Sequence, residues 1–103
     1  MIIRVAVPGG TAFQLRKGEE GISVFDTVAT DPPLSEDEIL AAFRPYCMAI
    51  IRTKVEIGAK GLQIVPVEGS ESLPERLRQA HAEIRPGWNM LRLEFKKALK
   101  ELE

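Results

Sequence analysis

A double proline separates the two best-defined elements of this sequence. Asp31-Pro32-Pro33 cannot continue a strand, because proline has no backbone N–H to donate to a sheet. The preceding segment, 22–27, contains β-branched and aromatic residues and follows a glycine-bounded turn, which predicts a strand. A helix start follows the prolines directly. The chain must therefore change from strand to helix at this point, which requires a fold that contains both.

Four residues after the prolines indicate where that helix begins. Ser35 and Glu38 have the spacing of a capping box, in which each side chain accepts a hydrogen bond from a free N–H of the first turn. Leu34 and Ile39 have the spacing of a hydrophobic staple. Pro45 ends the helix, because the residue before a proline avoids the helical conformation. The pattern predicts a helix over 36–44.

The N-terminal third predicts three strands. Segments 2–7, 12–16 and 22–27 alternate apolar and polar side chains, and glycine-containing turns separate them. The connections are too short for crossovers, so an antiparallel meander is expected. The turn Pro8-Gly9-Gly10 lacks the lysine of a P-loop and the spacing of a dinucleotide-binding loop, which favours a plain turn.

The middle of the chain contains one ambiguous segment. Residues 47–51 are wholly apolar, which predicts a strand buried on both faces. Residues 51–57 then alternate like a strand, but Thr53 and Glu56 have capping-box spacing and Gly61 suits the end of a helix. We favour a helix over 54–60 and leave the strand open. A strand over 62–67 follows, and Pro66 indicates a sheet edge or a strand end.

The C-terminal third predicts two helices with an extended segment between them. The first helix spans 73–80 and the extended segment spans 81–84. The second helix, over 88–102, is the longest, and its apolar stripe is expected to be buried. That stripe consists of Trp88, Leu91, Phe95, Ala98, Leu99 and Leu102. Met90 and Leu93 lie off the stripe, where they either widen the buried face or contact a partner.

These elements predict a single α+β domain: a mixed or antiparallel sheet of four to six short strands, with about three packed helices. A chain of 103 residues with 45% hydrophobic residues is long enough to bury one core without staples. The single cysteine excludes an internal disulfide. No apolar run reaches the length of a membrane span, and we expect a cytoplasmic protein.

Charge is distributed unevenly along the chain. The net charge is −1, which disfavours a general nucleic-acid or membrane-surface binder. Residues 18–43 nevertheless contain seven acids and no lysine or arginine. Three of the acids, Glu36, Asp37 and Glu38, occupy the predicted first turn of a helix, where the helix dipole favours them. The same residues could instead dock a basic partner, since complementary charge steers association.

One short segment has the residue types of an acid–base site. On an extended chain His81, Glu83 and Arg85 point to the same side. An imidazole, a carboxylate and a guanidinium together could act on a phosphate ester. The structural alternative is that His81 merely caps the end of a helix. The apolar neighbours of Cys47 predict an inert buried thiol. One Cys and one His cannot complete a structural zinc site, and no metal or cofactor is expected.

The sequence therefore supports hypotheses of different classes. The first is a non-enzymatic interaction or regulatory module, with a protein partner or self-association, using Glu36, Asp37, Glu38, Met90 and Leu93. The alternative is a small hydrolase or nuclease-like enzyme using His81 with Glu83 and Arg85. RNA binding by basic residues outside 18–43 ranks third.

Overall fold

Five short strands form one sheet in the computed structural model, which describes residues 1–103. The strands are β1 (Ile2–Ala6), β2 (Ile22–Asp26), β3 (Met48–Arg52), β4 (Gln63–Pro66) and β5 (His81–Arg85). The α-helices are α1 (Glu36–Leu40), α2 (Lys54–Ala59), α3 (Glu75–Ala80) and α4 (Arg92–Lys100). The strand order is β3-β1-β2-β5-β4, and every neighbouring pair is antiparallel. The chain is thus an α+β domain, as its sequence predicts.

One face of the sheet, here called the α4 face, carries the larger core. Helices α2 and α4 and the segment 12–15 cover it, and fourteen buried residues form one apolar cluster there. Phe95 and Leu99 of α4 pack in this cluster with Val24 and Ile84 of the central strands. Burial of this size is the main term that stabilises a small domain.

The opposite face, here called the α1 face, carries a smaller core. Six buried residues form its cluster: Ile3, Phe25, Leu34, Ile39, Leu77 and Ala80. Helices α1 and α3 cover the end of the sheet near Phe25. Ser23, two residues before Phe25 in β2 and on the same face, is exposed. Part of this face is therefore open even on a central strand.

Both predicted helix starts in the middle of the chain are confirmed. Ser35 Oγ accepts from the Glu38 N–H at 3.0 Å, and Leu34 and Ile39 are both buried. Thr53 and Glu56 form a complete capping box, with each side chain accepting from the other residue's N–H at 3.0 Å. These local bonds favour the helical alternative for the ambiguous segment. Gly61 follows α2 with a φ of 78°, in the left-handed region where glycine is favoured.

Helix α1 is shorter than predicted. It ends at Leu40 rather than at 44, and the chain continues in tight turns to Pro45. The Phe43 N–H donates to the Leu40 carbonyl, a bond that spans three residues as in a 3-10 turn. The helix therefore tightens into a 3-10 turn and ends before the chain reaches the proline.

The predicted strand over 12–16 is wrong, and so is the three-strand meander. Ala12, Phe13 and Leu15 are buried, but in an irregular segment that closes the α4 face. Side chains satisfy its backbone in place of a neighbouring strand. Arg4 Nε donates to the Ala12 carbonyl at 2.8 Å, and the Glu103 carboxylate accepts from the N–H groups of Ala12 and Phe13 at 2.9 and 2.7 Å.

The prediction that 47–51 is buried on both faces is also wrong. Strand β3 lies at one edge of the sheet and pairs only with β1. Met48 and Ile51 are exposed, and Ala49 and Ile50 are half-buried. An apolar run indicates a strand but does not indicate its position in the sheet. The prediction of an edge at Pro66 is confirmed, because β4 forms the other edge.

The longest helix begins four residues later than predicted. Phe95, Ala98, Leu99 and Leu102 are buried as expected, whereas Trp88 and Leu91 are exposed. Asn89 has a φ of 60°, which breaks the helical path. No helix of this fold qualifies as a membrane span.

Candidate functional site

A cavity of about 440 Å³ opens on the α1 face. Its apolar walls include Val5 and Phe25 from the sheet, Phe43 from the turns after α1, and Leu73 from the loop before α3. Six polar residues, Arg4, Ser23, Cys47, Ser70, Ser72 and His81, also line it. Binding pockets for small molecules typically combine such apolar walls with a few polar groups.

His81 is held in one orientation at this cavity. Its Nδ1 lies 2.7 Å from the Val67 carbonyl oxygen, which can only accept, so Nδ1 carries a proton and donates. The ring also packs edge-on against Phe25, with 5.7 Å between ring centroids. Nε2 has no hydrogen-bond partner in the protein. In the neutral imidazole, Nε2 is therefore the nitrogen that is able to accept a proton.

Glu83 and Arg85 lie on the same face of β5 as His81, but they do not bind His81. The intervening residues Ala82 and Ile84 are buried in the opposite core, so the expected alternation along β5 is present. Arg85 binds Glu83 through Nε at 2.9 Å and Nη2 at 2.8 Å. No hydrogen bond joins either residue to His81, and neither lines the cavity. The structure brings Glu83 and Arg85 together and leaves His81 outside the pair.

Cys47 differs from its prediction in position. It lies in the turn before β3, is half-buried, and lines the cavity with His81. Its N–H donates to the Arg44 carbonyl at 2.9 Å. The thiol is thus accessible from the cavity rather than enclosed in a central strand.

The three acids of α1 divide into two groups. Glu38 accepts from Arg76 of α3 at 2.7 and 3.2 Å, which joins the two helices of the α1 face. This hydrogen bond lowers the pKa of Glu38 and raises the pKa of Arg76 from their ordinary values. Glu36 and Asp37 are exposed and form no ion pair. Only these two carboxylates are free for a basic partner.

Three large apolar side chains are exposed at the start of α4. Trp88 is 92% exposed, Leu91 67% and Leu93 80%. We call this set the Trp88 surface. Met90, between them, is partly buried and packs on the α4-face core, whereas Leu93 projects outward. From the sequence, Met90 and Leu93 are proposed as partner-binding residues. Leu93 is accessible to a partner, whereas Met90 attaches this segment to the core.

The backbone under the Trp88 surface is held by contacts on both sides. A Cβ at Gly87 would overlap the carbonyl oxygen of Gly61, so the two glycines allow close packing of their loops. The Met90 N–H donates to the Gly87 carbonyl at 3.1 Å. Arg92 donates to the carbonyls of Arg16 and Glu19 at 2.9 and 2.8 Å. The surface therefore stands on an ordered support.

The exposed face of α4 continues from Leu93 as a row of lysines. Lys96, Lys97 and Lys100 are exposed and form no ion pair. The neighbouring acids are engaged elsewhere. Glu94 accepts from the Leu91 N–H at 3.3 Å, Glu101 pairs with Lys60 at 3.4 Å, and Glu103 binds the segment 12–13. The acids that balance these lysines in the sequence thus do not bind them in the fold.

No three His, Cys, Asp or Glu side chains converge closely enough to hold a metal ion. Comparison with protein-family models, with curated proteins and with solved structures finds no match.

Proposed function

We propose that this protein is a non-enzymatic interaction module that binds a protein partner through the Trp88 surface. The observation that carries the proposal is the exposure of Trp88, Leu91 and Leu93 within six residues. Single exposed apolar residues are ordinary, but a cluster of large ones marks an interaction site. Tryptophan is also among the residues that contribute most when an interface buries them.

The support under the surface favours binding. A segment that is ordered before association loses less conformational entropy when it binds. Met90 anchors this segment in the core and Arg92 ties it to the carbonyls of Arg16 and Glu19. The exposed side chains between them are thus presented by a fixed backbone.

The charges beside the surface indicate the chemistry of the partner. Lys96, Lys97 and Lys100 extend from Leu93 without acidic neighbours bound to them. A partner with an apolar pocket next to acidic side chains would match both features. Because exposed charges mainly steer encounter, we expect the lysines to affect the association rate more than the dissociation rate.

Capture from an extract of the native host tests the proposal. Three baits are compared: the wild-type chain, the double variant Trp88→Ser with Leu93→Ser, and the control Val55→Ser. Val55 is 81% exposed on α2 and lies outside the Trp88 surface. We expect a stoichiometric protein partner with the wild type and the control, and none with the double variant. A partner that all three baits retain equally would contradict the proposal.

The cavity at His81 supports the enzymatic alternative as a second candidate. There, His81 Nε2 would take a proton from a water whose oxygen attacks the phosphorus of a small phosphoester, while Nδ1 stays bonded to Val67. The P–O bond to the alcohol breaks, and the departing alkoxide takes up the proton from His81 or one from solvent. The cavity itself, rather than the Glu83–Arg85 pair, is the observation that favours this role.

A phosphoester screen separates the two candidates. His81→Gln should abolish any hydrolysis while the domain stays folded, because His81 is only half-buried and glutamine can still donate to the Val67 carbonyl. Glu83→Gln is the matched control on the same strand face and should retain the activity. Hydrolysis that survives His81→Gln, or an absence of hydrolysis by the wild type, would remove this candidate.

A further inference from the structure

The hydrogen-bond ladder determines which backbone groups of β3 are free. The Thr27 N–H donates to the Met1 carbonyl at 2.9 Å, so the odd-numbered residues of β1 bond toward β2 and the even-numbered residues toward β3. Arg4 pairs with Ile50. The even-numbered residues of β3 therefore bond to β1, and Ala49 and Ile51 direct their N–H and C=O groups to the open edge. Consistent with this direction, the Ile51 carbonyl accepts from its neighbour's side chain, Arg52 Nη1, at 2.7 Å.

The other edge of the sheet is protected at the corresponding position. The Val67 N–H donates to the His81 carbonyl at 3.2 Å, so odd-numbered residues of β4 bond toward β5 and even-numbered ones face outward. Pro66 is an even-numbered residue of this strand and has no N–H to offer there. Proteins commonly block a sheet edge in this way. Strand β3 has no proline, and its one charged residue, Arg52, is the last residue of the strand.

The side chains of β3 also suit a more enclosed position than the edge. Four of its five residues, Met48–Ile51, are apolar, yet Met48 and Ile51 are exposed. An apolar strand with free backbone groups is a template for a further strand. The apolar sequence of β3 is typical of an interior strand, whereas β3 lies at an edge of the sheet. Both observations are explained if another strand covers β3 in the assembled protein.

We propose that the covering strand is β3 of a second copy, paired antiparallel about Ile50. This register places Ala49 opposite Ile51 of the other copy, so the outward N–H and C=O groups of both residues pair across the contact. The Ile51 carbonyl, which already accepts from Arg52 Nη1, does so through its second lone pair. It also sets a small side chain against a large one. Met48 lies opposite Arg52, so no like charges meet, whereas a parallel arrangement would place Arg52 beside Arg52.

Two-fold symmetry makes this contact closed. An isologous pairing uses the same patch on both copies and stops at a dimer, with one continuous sheet of twice the strand number. The Trp88 surface remains outside it. Arg52 Nε binds the Leu102 carbonyl at 2.8 Å, so the C-terminal end of α4 lies near β3, while the Trp88 surface lies at the opposite end of that helix.

The first experiment is sedimentation velocity over a wide range of protein concentration. Wild type should show concentration-dependent dimerisation. Ala49→Pro removes one outward N–H and adds little volume, so it should remain folded by circular dichroism and sediment as a monomer. The double variant Trp88→Ser with Leu93→Ser should dimerise like the wild type. A wild type that stays monomeric, or a dimer lost only in the double variant, would overturn the edge pairing.

A cross-linking pair tests the register. Ile50 faces its own symmetry mate across a pair without hydrogen bonds, where Cα atoms lie about 4.5 Å apart, within the range of a disulfide. With Cys47→Ser as background, Ile50→Cys should form a covalent dimer under mild oxidation. Ile51→Cys in the same background should not, because residue 51 lies opposite residue 49. Equal cross-linking of both variants, or cross-linking of Ile51→Cys alone, would overturn the register.

Discussion

The two faces of the sheet are covered by different amounts of chain. The α4 face carries fourteen buried residues under α4, α2 and the segment 12–15. The α1 face carries six buried residues under two helices of five and six residues, and it retains the cavity. Most of the burial that stabilises this domain is thus on one side, and the accessible His81 and Cys47 are on the other.

The difference between the faces predicts different costs for comparable changes. Phe95→Ala removes a fully buried ring from the α4-face core and should lower the free energy of unfolding by about 3–5 kcal/mol. Phe43→Ala removes a partly buried ring from the cavity wall, with its edge contact to Phe25, and should cost about 1–2 kcal/mol. Urea unfolding followed by circular dichroism measures both. Equal losses would mean that the two faces contribute equally.

The irregular segment on the α4 face gives the next largest effect. Glu103→Ala leaves the N–H groups of Ala12 and Phe13 without their acceptor, which should cost about 1–3 kcal/mol. The control Glu101→Ala removes only the surface pair with Lys60 and should change stability by less than about 1 kcal/mol. Thermal unfolding compares the two. A larger loss for Glu101→Ala would show that the bonds of Glu103 are not what holds the segment.

The helix caps give a smaller difference between the faces. Thr53→Ala removes the hydroxyl that accepts from the Glu56 N–H, one of the two bonds of the α2 capping box, and Ser35→Ala removes the single cap bond of α1. We expect about 1 kcal/mol for Thr53→Ala and less for Ser35→Ala. The backbone N–H of Thr53, and after it the Thr53 side chain, lower the pKa of Glu56. Because the variant keeps this N–H, the Glu56 carboxyl should move only part of the way toward its ordinary pKa. NMR titration with chemical denaturation checks both expectations.

The smallest expected effect concerns the pair that joins α1 to α3. The hydrogen bond from Arg76 lowers the pKa of Glu38, so the folded state holds the charged carboxylate more strongly than the unfolded state. The contribution of the pair is therefore present above the unfolded pKa and disappears as the pH falls through the folded pKa. NMR titration should find Glu38 below its ordinary range in the wild type and nearer that range in Arg76→Gln. An unchanged Glu38 titration would contradict the role of Arg76.

The parts of this fold that local chemistry determines could be predicted from the sequence. Ser35 and Thr53 begin helices because their caps involve residues only three positions away. Pro66 indicates an edge because it has no backbone N–H, so a strand on that side would lack a hydrogen-bond donor. The position of β3 could not be predicted, because an apolar run predicts a strand without indicating whether neighbouring strands lie on one side of it or on both.

The predictions that are wrong near the candidate sites concern segments whose structure depends on residues outside the local pattern. Segment 12–16 alternates like a strand, but distant side chains, Arg4 and Glu103, satisfy its backbone. Trp88 and Leu91 fit the helical stripe, although Glu94 three residues after Leu91 was a signal that the helix begins there. The alternation along 81–85 predicts the strand face of His81, whereas the cavity beside His81 forms only when β5 pairs with the distant strand β2.

The exposure of Trp88 also has a spectroscopic consequence. It is the only tryptophan in the chain, and its indole is surrounded by water in the folded state. Its emission should therefore already lie near the wavelength of an unfolded peptide, and denaturation should shift it little. The emission maximum of Trp88 should move to shorter wavelength when another molecule covers the ring. In this protein the intrinsic fluorescence would report contact with a neighbour rather than the folding of the chain.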